Sequence, residues 1–207
     1  HEKNMTKSQA KKYLSSYKQA YPKDFEEVLK LYPHQTEEQV AYSAMALAGD
    51  RFISYSTWKW FDLHLQNSNQ PVYRYLYAKI RPALVDQRLE TGLAGGTSRR
   101  SSAAPARPRD LGAPHAAEIE YAMGNLDRIK EFAWTEDDYK ASAAMFAYFT
   151  NFVKTGNPNG PDLPEWPKAG ANDPNPPVMV IDTESKSVKA LDDARYKFHD
   201  RIFGNNK

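Results

Sequence analysis

The chain has 207 residues, 41% of them hydrophobic and 26% charged, with a formal net charge of +2. That is enough for one sizeable core, and the balance gives no charge argument for nucleic acid or a membrane surface as partner. Cysteine is absent, which excludes disulfides, a thiol nucleophile and thiolate metal sites, and no apolar run approaches a membrane span in length. The chain opens His1-Glu2-Lys3-Asn4, without Met or an apolar leader, and reads as a processed or cleaved end.

Residues 1–66 read as helices with short breaks, a cover for a sheet that carries no chemistry of its own. Thr6 with Gln9 makes a capping box, and Tyr13, Leu14, Tyr17 and Tyr21 form an apolar stripe that Pro22 ends. Asp24 is placed to cap a second helix with a face of Phe25, Val28, Leu29 and Tyr32, closed by Pro33. Thr36-Glu37-Glu38-Gln39 opens a third, continuing through Val40, Ala44, Leu47 and Ala48. Asp50-Arg51 then precedes an aromatic helix with Trp58, Phe61 and Leu65.

Pro71 ends the helical run, and Val72 to Tyr77, rich in β-branched and aromatic residues, reads as one buried strand. A parallel strand needs neighbours reached by crossovers, and the chain offers few. Val178–Asp182 and Ser187–Leu191 are the further strand candidates, and their spacing suggests a peripheral hairpin. Residues 83–111 carry no apolar period. The run from Ala94 to Arg109 is small, polar and basic, the composition of a flexible loop spanning about 85–110. Arg99, Arg100, Arg107 and Arg109 lack the aromatic or helical frame of a polyanion site, so a surface loop is the expected reading.

From Gly112 to Leu126 a small-residue turn presents His115, and a short amphipathic piece follows with Ile119 and Met123 one turn apart. Imidazole titrates nearest neutrality, so an exposed, fixed one suits proton transfer. Glu118 follows three residues later and is read as a brace. Beyond it, Thr135 with Asp138 forms a second capping box, and Ala141, Met145, Tyr148 and Phe152 recur at helical spacing up to a C-cap at Gly156. Asn157-Pro158-Asn159-Gly160 is a turn, and Trp166-Pro167 anchors the following loop. A last helix, Asp193 to Phe203, aligns Tyr196, His199 and Phe203 on one face.

Gly112-Ala113-Pro114-His115-Ala116-Ala117-Glu118-Ile119-Glu120-Tyr121, followed by Gly124-Asn125-Leu126, closely resembles the catalytic-histidine segment of type-B carboxylesterases. This α/β-hydrolase family includes the cholinesterases and bacterial p-nitrobenzyl-type esterases. Tyr148 to Gly160 and Pro164-Glu165-Trp166-Pro167 resemble the family's next block, with order and spacing matching. The resemblance covers the C-terminal part of such an enzyme. It implies an α/β fold, residues 1–207 forming the C-terminal portion of one α/β-hydrolase domain: mostly helices, a late central-sheet strand leading to the histidine loop and a peripheral hairpin, completed by an N-terminal chain. It also implies that Asp50 stands where the family has an acid in a buried ion pair.

Family enzymes hydrolyse esters with a Ser-His-acid triad whose serine sits on a Gly-x-Ser-x-Gly elbow. No such elbow occurs in this chain. The resemblance therefore implies His115 as the triad histidine, with Glu118 supporting rather than serving as the triad acid, since the acid must reach the ring from another strand. The N-terminal fragment would supply serine, acid and oxyanion hole, and the substrate class is a small-molecule ester. The loop at about 85–110 is longer than the family usually has there, so substrate preference does not transfer. His1, His34, His64 and His199 lack partners at ligand spacing, and a His115–Glu118 metal pair lacks the third protein ligand that catalytic zinc needs; no cofactor is expected. A catalytically silent, cholinesterase-like binding protein and a free-standing helical module are the rival readings. Compartment is open, with secreted or periplasmic relatives common.

Overall fold

The computed structural model describes residues 7–92, 95–101 and 111–204. The Thr6 capping box and much of the expected arginine-bearing loop lie outside these residues. The chain divides into a helical unit, His1–Ser68 with Asp192–Lys207, and a sheet unit, Asn69–Leu191.

In the helical unit, α1 (Lys7–Ala20), α2 (Phe25–Leu31) and α3 (Glu37–Gly49) follow the expected periodicities. Tyr17, Tyr21, Val28, Tyr32 and Leu47 pack together with Phe198 of α7 (Asp193–Gly204). Aromatic residues of this size each contribute roughly 2–3 kcal/mol when buried. Thr36 closes its capping box with Gln39 as the sequence requires. Asp24 does not cap α2 with its side chain; its carboxylate lies 3.1 Å from the Arg201 guanidinium instead, an ion pair outcompeting a backbone N–H that water can also satisfy.

The break expected after Asp50 is not a break. A π-helical turn, Asp50–Ser54, joins α3 directly to α4 (Tyr55–Asn67). Asp50 is buried there and meets Arg195 Nε at 2.9 Å, the ion pair implied by the family resemblance. Tyr32 donates its hydroxyl proton to Asp50 at 2.8 Å. With that proton committed, His199 Nε2, 2.8 Å from the same oxygen, is the donor to Tyr32. His199 is 0% exposed and its Nδ1 has no partner among the described residues. Burial, together with the charges of Arg51 and Arg195, pulls its imidazole down to about 4.

In the sheet unit, β1 is shorter than the expected strand, Tyr75–Tyr77 only, with Tyr75 and Leu76 exposed. The hairpin of β4 (Pro177–Ile181) and β5 (Lys186–Lys189) is not separate from it. β4 pairs parallel with β1, Leu76 opposite Val180, giving the order β1-β4-β5. The chain thus supplies the neighbour that the sequence alone did not show. The crossover between them contains α5 (Ile119–Ala122) and α6 (Glu136–Thr155), as parallel pairing demands. α6 begins at the Thr135–Asp138 capping box and ends at Gly156, whose φ of 74° suits glycine at a helix terminus.

The core of this unit brings together Tyr77, Tyr121, Met145, Tyr148, Trp166 and Ile181. Trp166 anchors its loop as expected, donating from Nε1 to the Arg74 carbonyl at 3.1 Å. The stretch read as a featureless loop carries an antiparallel pair, β2 (Leu89–Thr91) with β3 (Thr97–Arg99). Gly95 and Gly96 provide the positive φ values needed to reverse the chain between them.

Candidate active site

His115 is exposed and sits at the second position of a turn closed by the Ala117 N–H on the Pro114 carbonyl, 3.1 Å. The third position, Ala116, has φ 63°. Turns of this kind favour glycine there, and an alanine pays about 1–2 kcal/mol for the left-handed conformation. That cost persists only where surrounding contacts overdetermine the geometry, and here they do. Ala116 is 4% exposed and Ala117 is fully buried beneath the imidazole-bearing turn.

The contacts come from the segment leaving β1. Lys79 and Arg81 are two residues apart and each meets an acid of the histidine region. Arg81 Nη2 donates to the Ala116 carbonyl at 2.9 Å and pairs with Glu120. The guanidinium lies 5.1 Å from the Phe132 ring centroid, an arrangement that favours a planar cation. Its Nε is buried without a partner among the described residues. Lys79 Nζ lies 2.8 Å from Asp138, which also accepts from the Tyr121 hydroxyl at 2.7 Å and from the Thr135 hydroxyl at 2.6 Å. Burial would raise the Asp138 carboxyl, but these donors outweigh it and hold it below its usual range. Ser142 adds a bond to the Tyr121 carbonyl, 3.0 Å. The turn, α5 and α6 are therefore pinned at three places around His115.

The amphipathic reading of α5 is inverted. Ile119 and Met123, the apolar pair one turn apart, are 44% and 61% exposed, while Glu120 and Tyr121 are buried. A buried carboxylate is costly alone; Arg81 supplies its charge partner, so the helix turns its polar residue in. Glu118 occupies the N-cap position of α5 without a side-chain cap bond. The Tyr75 hydroxyl is raised by burial and, secondarily, by the negative charge of Glu118. Gly124 ends the segment at φ 59°, where an added Cβ would meet the Phe146 ring at 3.1 Å. Among the described residues, no three His, Cys, Asp or Glu side chains converge as a metal site would need, and no helix is long and apolar enough to cross a membrane.

The sequence model of the carboxylesterase family matches residues 1–199. The chain belongs to the carboxylesterase family. Over 135 residues it is 30% identical to pyrethroid hydrolase Ces2e of Rattus norvegicus, covering 65% of this chain and 20% of that protein. Carboxylesterase 4A of Bos taurus is 25% identical over 192 residues, 93% of this chain and 30% of the relative. An esterase from Clostridium hathewayi, described as able to hydrolyse aliphatic aromatic polyesters, superposes with a TM-score of 0.61 at 18% identity, over 97% of this chain and 34% of that one. The fold is accordingly part of an α/β-hydrolase, and the chain spans less than a third of the length of these two curated carboxylesterase relatives.

Sequence reading singled out His115 and Glu118 as candidates and read Asp138 as a capping residue, but paired neither Arg81 with Glu120 nor Lys79 with Asp138. The available signal was two cations spaced i, i+2 at a strand exit and an acid amid apolar residues. Neither identifies its partner across 39 or 59 positions.

Proposed function

We propose that this chain carries the general base of a serine carboxylesterase. His115 would take the proton from a serine hydroxyl as its oxygen attacks an ester carbonyl, then return that proton to the departing alcohol. In the second half it would take a proton from water, whose oxygen attacks the acyl-serine, and hand it back to the serine. The observation that supports this role is the setting of the ring: an exposed imidazole on a strained turn whose following residues are buried and bonded from below.

The serine, triad acid and oxyanion donors would come from the N-terminal portion of the same protein, with which both units form one α/β-hydrolase domain. The outer edge of β1 supports this arrangement, since β4 occupies its other side and Tyr75 and Leu76 are exposed. An edge strand of this kind has backbone groups available to another strand. Glu118 would act as a support for the ring rather than as the triad acid.

The test is hydrolysis of p-nitrophenyl esters by the full-length protein and its His115→Ala variant. Intact mass under native and denaturing conditions first establishes whether one polypeptide or two are present. Loss of turnover with an unchanged melting temperature is the expected result. Undiminished turnover in the variant removes His115 from the mechanism, and a folded wild type without turnover returns the silent binding protein as the better reading.

A further inference from the structure

We propose that Arg81 is a positioning residue for His115, acting through the carbonyl of Ala116; this rests on the assignment of His115 as general base. Nη2 has two N–H groups, and the structure shows it on two acceptors: the Ala116 carbonyl and the Glu120 carboxylate. Ala116 directly follows His115 and holds a backbone conformation that alanine disfavours. Without a donor on that carbonyl, the peptide between Ala116 and Ala117 loses one of two anchors and keeps the Ala117 N–H bond to the Pro114 carbonyl, so that relaxation of Ala116 toward an ordinary conformation moves the imidazole with it. Glu120 holds the same nitrogen by its charge, and the guanidinium lies over the Phe132 ring. The ion pair thus secures the donor and the donor secures the turn.

Two variants of the full-length protein separate positioning from stability. Arg81→Lys keeps the charge opposite Glu120 but cannot present two N–H groups in the guanidinium plane. Arg81→Met with Glu120→Gln removes both charges, so no ion is left buried alone. A misplacement of about 1 Å costs on the order of 100-fold in rate, so kcat is expected to fall about 10- to 100-fold in each variant, with KM changing less than about twofold. The acidic limb of the kcat/KM profile and the ring Cε1–H resonance of His115 are expected to shift together, while Arg81→Lys melts close to wild type. If either variant folds and leaves kcat, the acidic limb and the His115 resonance where they were, the clamp is overturned. The underlying assignment fails separately, through turnover retained by His115→Ala. In that case the His115 resonance in the Arg81 variants still decides whether Arg81 sets the ring.

Discussion

Two histidines in this chain show how one side chain takes opposite parts. His199 is fully buried in the helical unit, donates to Tyr32 and is held neutral by its surroundings. His115 is exposed in the sheet unit, and a buried ion pair, Arg81 with Glu120, is bonded to the backbone that directly follows it. One arrangement consumes the imidazole as a packing and hydrogen-bonding piece. The other spends a buried ion pair and a strained alanine to hold the imidazole in the open. On the proposed assignment of His115, the difference distinguishes a histidine that stabilises a fold from one that moves a proton, and neither composition nor spacing carries it.

Exchanging each ring for a methyl group gives the sharpest test of that contrast. His115→Ala is expected to lower ester turnover by roughly 1,000-fold or more while leaving the thermal melt unchanged. His199→Ala is expected to cost about 3 kcal/mol of stability, from the cavity and from the lost partner of Tyr32, read in a denaturant titration. Acid sharpens the comparison. The folded-state value of His199, about 4, lies below its ordinary 6.5, so its contribution is complete above pH 6.5 and is lost as pH falls from there toward 4. The full loss is about 3 kcal/mol, and melts recorded at steps between pH 7.5 and 4 should show it in wild type and not in His199→Ala. Asp138 is depressed instead, so its share of stability persists until pH falls below the ordinary aspartate range. Ala116→Gly should have the smallest effect. It relieves the left-handed strain at the cost of a more flexible unfolded chain, for a net change within about 1 kcal/mol, with turnover retained because the carbonyl that Arg81 grips is kept.

Much of the frame was legible because it is local. The helix start at Thr36, the Thr135 capping box and the Gly156 terminus each depend on residues within four positions, and all three stand as read. Asp50 was placed by resemblance, and its partner Arg195 emerged only in three dimensions, 145 positions away. Misreadings arose where a distant residue overrode a local preference. Arg201 draws off the Asp24 carboxylate, and Arg81 turns Glu120 inward and so exposes Ile119 and Met123. The pairing of β1 with β4 was equally hidden, since a strand of three residues has too little pattern to announce a neighbour about 100 residues on.

The outer edge of β1 also governs how the chain must be handled. With a tyrosine and a leucine showing and no proline or charge within Tyr75–Tyr77, its shortness, three residues, is the one such guard of a sheet edge that the strand itself carries against other chains. Produced by itself, the 207-residue polypeptide is expected to self-associate and precipitate through this strand as its concentration rises. A lysine in place of Leu76 is the change that would keep it in solution.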